Sequence, residues 1–183
     1  MKRLAALTVL ALAAPALARD VAGVPFTETL AAGGQELKLN GAGVRKKVFF
    51  KVYAGGLYLA QPSGDADAVV AADAPKLVRM VFLRDVDKGK ILETYREGFQ
   101  KNSAGPALQE LLAKLDRIGP ALADMRSGAE MSVTYLPGQG TTVAAAGATP
   151  VTVEGKDFAD AMFRNWLGPS PADQDLKAKL LGR

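Results

Sequence analysis

The chain contains neither cysteine nor histidine. That double absence excludes a disulfide framework, a thiolate nucleophile, a Cys/His zinc site and a Ser-His-Asp triad. Proton transfer at neutral pH is left to Arg, Lys, Tyr, carboxylates or water, which favours reactions whose substrate groups already ionise near that pH. Long apolar runs are scarce: beyond the opening segment none is long enough to cross a bilayer, so no integral membrane segment is expected there. Charge of one sign is not in excess either. Of 23 basic residues, Lys2 and Arg3 belong to the opening segment, and the others are dispersed and nearly balanced by 19 acidic ones, so the composition does not point to nucleic acid.

Residues 1–18 have the pattern of a signal peptide. Lys2 and Arg3 give a positive start, Leu4 to Ala14 is apolar with no polar face, and Ala16-Leu17-Ala18 supplies the small residues that a signal peptidase accepts. The expectation is an exported protein, periplasmic or secreted, whose mature part is one domain over 19–183. With no disulfides it must be held by its core alone.

Along the mature chain the pattern alternates first with strand and then with helix periodicity. Gln35 to Asn40 reads as a strand, Gly41-Ala42-Gly43 as a turn, and Val44 to Ala60 as one long strand bent at Gly55-Gly56. Within it Val48, Phe50 and Val52 face one way and Phe49, Lys51 and Tyr53 the other. Pro62 to Asp67 reads as a loop and Lys76 to Arg84 as a strand. Asp87 is placed to cap a helix on which Ile91, Tyr95, Phe99 and Asn102 form one stripe. A second helix is expected from Pro106 to Ile118, interrupted by Gly119-Pro120. Strands then follow at 131–136, 141–146 and 151–154. Two closing helices are expected, one capped by Asp157 and ending at Gly168, the other opened by Ser170, Pro171 and Asp173. Strands and helices grouped in blocks argue for an α+β domain with an antiparallel sheet and helices on one face.

Two glycine motifs lead nowhere. Gly41-Ala42-Gly43 lacks the rest of a dinucleotide fingerprint, and the stretch from Gly138 to Thr142 lacks the lysine of a phosphate loop. No cofactor and no metal is expected. The more informative constellation is Arg45 on a strand with Tyr95 and Asn102 on the helix, seven residues apart and about 10 Å along the axis. They either line one groove, or Tyr95 is an amphipathic core residue, Asn102 a C-terminal cap and Arg45 an exposed neighbour of Lys46 and Lys47. Trp166, Phe163 and Phe158 read as core residues of the last long helix. Arg79 and Arg84 lie on opposite faces of their strand, and one of them can face a cleft.

Three collinear stretches carry a resemblance to a known family. Asn40 to Arg45, followed by Lys51 to Leu59, resembles the glycine-arginine strand and its successor in the chalcone isomerase fold. Tyr95 to Asn102 is similar to that family's active-site helix, and Phe158 to Pro171 to its C-terminal helix. The nearest resemblance is to a bacterial, exported chalcone-isomerase-like branch. It implies an open-faced β-sandwich, a large antiparallel sheet with a layer of helices on one face and a ligand cleft between them.

In the plant enzymes of the family, the Arg at the Arg45 position orients the substrate oxyanion and stabilises an enolate. The residues at Tyr95 and Asn102 join a polar network there. Preorganised cations and donors suffice for such chemistry without histidine. Where the enzymes have Thr on the second strand and Thr or Ser on the last helix, this chain has Tyr53 and Asn165. An Arg and Tyr pair resembles instead the fatty-acid-binding relatives of the fold, in which both hold the ligand carboxylate. The first expectation is therefore a binder of a small amphipathic carboxylate or phenolate, fatty-acid-like, held by Arg45, Tyr53, Tyr95, Asn102 and Asn165. The alternatives are an isomerase of the intramolecular lyase type, with Arg45, Tyr95 and Asn102 catalytic, and a non-catalytic protein-interaction module. One geometric demand follows: Arg45 and Tyr53 lie roughly 26 Å apart on an unbroken strand, so a bulge or turn near Lys46-Lys47 must bring them together.

Overall fold

A computed structural model describes residues 18–183. The signal segment lies outside the described residues apart from Ala18, which opens the first strand. In chain order the elements are β1 (Ala18–Val21), β2 (Val24–Thr27), β3 (Thr29–Ala32), β4 (Gln35–Lys47), β5 (Phe50–Leu59), α1 (Ala66–Ala71), β6 (Lys76–Phe82), α2 (Lys88–Asn102) and α3 (Pro106–Asp116). Then come a single 3-10 turn (Gly119–Ala121), β7 (Glu130–Leu136), β8 (Gly140–Ala145), β9 (Val151–Val153), α4 (Lys156–Leu167) and α5 (Gln174–Leu180).

Strands β3 to β9 form one seven-stranded sheet in sequence order, each antiparallel to its neighbour, while β1 and β2 make a separate hairpin. Alternation along the strands sends Leu57, Val78, Met80, Met131 and Val133 to one face. There they meet Phe99 of α2 and Phe158, Phe163 and Trp166 of α4, the aromatic anchors expected of that helix. Each such side chain, fully buried, stabilises the fold by about 1.5–3 kcal/mol. The opposite face carries a smaller cluster in which Phe26 of the β1–β2 hairpin covers Leu39, Ala54 and Tyr58. Beyond it that side of the sheet is only partly covered, and Thr142 and Thr152 share a hydrogen bond of 2.8 Å there. The architecture is an α+β open-faced sandwich, its helical layer on one side, as the sequence pattern predicts.

Local differences from that pattern have physical reasons. Gly41 and Gly43 are not a turn: β4 continues through them, with one register slip at Asn40, and α5 lies on that strand. A Cβ at Gly41 would stand 2.1 Å from the Lys179 carbonyl oxygen, and one at Gly43 2.7 Å from the Lys179 Cβ. The expected long strand from Val44 to Ala60 is in fact a hairpin, turning at Val48-Phe49, with Lys47 opposite Phe50. β-branched and aromatic residues at the turn hid it, since Val48 sits at φ 57°, a conformation that normally selects Gly or Asn. No bend occurs at Gly55-Gly56, which lie within an uninterrupted β5. The expected loop over 62–67 gives way at its end to α1, capped by Asp65 through the amides of Asp67 and Ala68. Asp157 does not cap α4: Gly155 holds that position, and Asp157 pairs with Lys114 at 2.6 Å. Asp87 caps α2 and Asp173 caps α5, each accepting from the first-turn amides.

Candidate functional site

Arg45 and Tyr53 are cross-strand partners. The 48–49 turn reverses the chain, and between the pairs Arg45–Tyr53 and Lys46–Lys51 the register slips by one residue, leaving Val52 as the extra residue of a bulge on β5. The required bulge and turn are both present. The bulge also explains why Val52 and Tyr53, adjacent in sequence, are both buried in the helix-side core. The Arg45 guanidinium carbon lies 5.7 Å from the centre of the Tyr53 ring, within cation–π range.

A cavity of about 510 Å³ lies between this part of the sheet and helices α2 and α4. Arg45 and Tyr53 line it from the hairpin, Tyr95 from α2, Asn165 and Trp166 from α4, and Met80, Phe82 and Met131 form its apolar floor. The volume suits a small organic ligand, and the ratio of a few polar groups to many apolar ones is that of a binding pocket. The structure thus brings together four of the five residues selected from the sequence.

The polar groups differ in how fully they are satisfied. The Trp166 indole N–H donates to the Tyr53 hydroxyl at 2.8 Å. Burial pushes the Tyr53 phenol up, while Arg45 and the Trp166 bond partly offset that shift. Tyr95 stacks edge-on against Trp166 with ring centres 5.9 Å apart, and its phenol is pushed far up by burial and by the neighbouring Tyr53. Both phenols are therefore protonated at neutral pH and able to donate to an acceptor. Asn165 is 4 % exposed, and its amide group donates to the carbonyls of Ala161 and Met162 at 3.1 and 2.9 Å. The Arg45 Nε is buried with no hydrogen-bond partner among the described residues.

Asn102 is not part of this cavity. Its amide donates to the carbonyls of Gly98 and Ser170, both at 2.9 Å, and its side-chain oxygen accepts from the Ser170 amide at 2.9 Å. Two helical turns beyond Tyr95, it has reached the end of α2, where it fastens the loop after α4 instead of facing the sheet. The cap-like alternative is the one the geometry favours.

Two participants were not selected as site residues from the sequence. Trp166 reads from the sequence as a core residue, yet its N–H holds Tyr53 in place; the signal is present, since a buried indole needs an acceptor. Of Arg79 and Arg84, it is Arg84 that reaches the cavity mouth, its guanidinium carbon 4.8 Å from the Phe50 ring centre. Arg79 lies on the other face, paired with Glu130 at 2.7 Å and over Phe26. No group of three or more acidic side chains positioned for a metal occurs among the described residues.

A seven-stranded antiparallel sheet in sequence order, an α2–α4 layer and an arginine-tyrosine pair at the cleft between them define a class. The chain belongs to the chalcone isomerase-like family, whose model matches residues 18–182. Among solved structures it is similar to a fatty-acid binding protein of Arabidopsis thaliana, with 17 % identity, a TM-score of 0.65, and coverage of 87 % of this chain and 92 % of that one. No curated protein matches it in sequence.

Proposed function

We propose that this protein binds the anionic head of an amphipathic small molecule, a fatty acid or a similar carboxylate or phenolate, and stores its apolar part between the sheet and helices α2 and α4. The observation that carries the reading is the buried, unpartnered Nε of Arg45 beside two protonated phenols at the edge of an apolar cavity. A buried donor on a charged group is costly to leave unmade, and an incoming carboxylate relieves that cost with charge-assisted bonds. Tyr95 supplies a second donor, whereas Tyr53 is anchored by Trp166 and shapes the pocket. A fatty-acid binding protein with the same fold supports this ligand class. The signal-like opening segment supports action outside the cytoplasm, in a periplasm or secreted.

Native mass spectrometry of the purified protein, before and after addition of a long-chain fatty acid, tests the proposal. One bound acid per chain is expected, with Arg45→Met weakening it by about 10- to 100-fold, as the loss of a charged hydrogen bond predicts. Unchanged affinity in Arg45→Met would remove the mechanism.

A further inference from the structure

At the mouth of the cavity the β4–β5 hairpin ends in a surface that no folding argument explains. Val48, Phe49 and Phe50 are 77, 91 and 60 % exposed, and they are the exposed large hydrophobic residues of the described chain. Lys46, Lys47 and Lys51 flank them, all exposed and none in an ion pair among the described residues. Arg84 stacks on Phe50 and adds a further cation to the same rim. The nearby carboxylates are already engaged: Asp85 with Arg126, Asp87 with the amides of Gly89 and Lys90, Glu93 with Lys90, and Asp173 with the amides of Lys46 and Leu176. The tip therefore presents a bare apolar point within a collar of positive charge.

We propose that this tip inserts among the headgroups of an anionic lipid bilayer, so that the cavity opens onto the membrane surface. The complementarity is specific in kind. Amphipathic elements that lie in the interface bury apolar side chains below the headgroups while Lys and Arg meet anionic lipids. A second copy of this chain fits worse. Three side chains fall well short of the roughly 800 Å² per partner of a standard interface, and self-pairing would bring the lysine collars together. Val48 at φ 57° points the same way, because a solvated turn of this shape is better served by Gly or Asn. Val48 and Phe50 also line the cavity, so a ligand leaving the bilayer meets Arg45 without crossing bulk water. That last step rests on the ligand-binding reading; the membrane contact does not.

The sequence has no cysteine, so one introduced thiol can carry an environment-sensitive fluorophore at a chosen place. The probe is placed on Val48→Cys and, as a control, on Gln61→Cys, beyond the far end of β5, in otherwise full-length chains. Vesicles of phosphatidylcholine containing phosphatidylglycerol are compared with phosphatidylcholine alone. A blue shift and protection from iodide are expected at position 48 only, with the anionic vesicles only, and weakening as salt is raised. Phe49→Ser should lower the vesicle-bound fraction at least fivefold and K46Q/K47Q/K51Q at least tenfold, with circular dichroism unchanged because all four side chains are exposed. Equal responses at 48 and 61, no response at 48, or a response that needs protein concentration and no lipid would each overturn the proposal, the last in favour of self-association. Arg45→Met separates the two readings: it should lose the fatty acid and keep the vesicle response.

Discussion

Two cations enter the same core from opposite ends of the sheet, and they are treated in opposite ways. Lys76, 2 % exposed, donates to the carbonyls of Val69, Val70 and Ala72 at 2.8, 2.9 and 2.8 Å, which closes the C-terminal end of α1. Tyr135 and Phe163 lie against its ammonium at 5.4 and 5.5 Å. Arg45, by contrast, keeps a buried Nε without a partner and faces open volume. A buried charge that is fully hydrogen-bonded belongs to the architecture, since the helix end needs it. A charge left short of partners beside a cavity is poised for something that arrives from outside. On the proposed function the contrast is between a structural cation and a binding one, and it is drawn without appeal to similarity.

The largest effect is expected at the satisfied site. Lys76→Met leaves the helix-end carbonyls of Val69 and Ala72 with no side-chain donor in a buried setting, Val70 alone keeping Lys156 at 3.0 Å, and should cost about 3–5 kcal/mol of stability, the range for breaking a buried charged contact. Urea unfolding measures it; a loss under 1 kcal/mol would show that the three bonds hold nothing together. Arg45→Met should behave in the reverse manner. Its stability should stay within about 1 kcal/mol of the parent, because the guanidinium head gives up little bonding within the fold, while the affinity for a carboxylate falls as stated above. If Lys76→Met leaves stability intact and Arg45→Met collapses it, the division between the two cations is wrong.

A smaller effect tests whether Asn102 belongs with the first group or the second. It makes three hydrogen bonds, two of them to Ser170 in the loop after α4, and it lies outside the cavity. Asn102→Ala should cost about 1–2 kcal/mol of stability and leave fatty-acid affinity unchanged. A selective loss of affinity with intact stability would return Asn102 to the site and weaken the geometric argument that removed it.

The pattern of apolar periodicity was enough to read the block order of strands and helices from β4 onward, α1 apart, with the stripe of α2 and the aromatic face of α4, because each depends on local spacing; β1 to β3 and α1, all short, were not read. Arg45 and Tyr95 were legible as a strand arginine and a polar member of a helix stripe, whereas Tyr53 and Asn165 were legible for a different reason, since they stand within motifs that resemble a family. What escaped the sequence was set by contacts distant in the chain. The Gly41 and Gly43 backbone is extended because α5, some 140 residues later, presses on it, and no local rule distinguishes that from a turn. The 48–49 turn carries none of the residues that normally mark one, so from its sequence the hairpin tip reads as the middle of a strand. That exception to turn chemistry is also where the surface is most apolar. Local rules fail there together, as expected where a segment serves something other than stability.

The smallest effect expected comes from titrating Lys76 itself. Burial, helped by the nearby Lys156, lowers its pKa from the usual 10.5 to about 8, against the weaker pull of Asp160 and Asp73. With the folded value below the unfolded one, the folded state releases its proton first as pH rises. Between about 8 and 10.5 the unfolded chain then binds more protons, so this residue makes stability increase with pH. Between pH 7 and pH 9 the gain is about 1 kcal/mol, the portion of the linkage integral reached before the unfolded lysine also titrates. Tyr53, Tyr58 and Tyr95 act in the opposite sense only near and above the ordinary tyrosine value of 10, because their folded values are raised. The measurement is therefore the difference in urea stability between the parent and Lys76→Met at pH 7 and at pH 9. That difference should widen at the higher pH if the lysine discharges inside the fold. A difference that stays constant means the three carbonyls hold the ammonium charged throughout, which would make the satisfied cation more firmly structural than its burial alone implies.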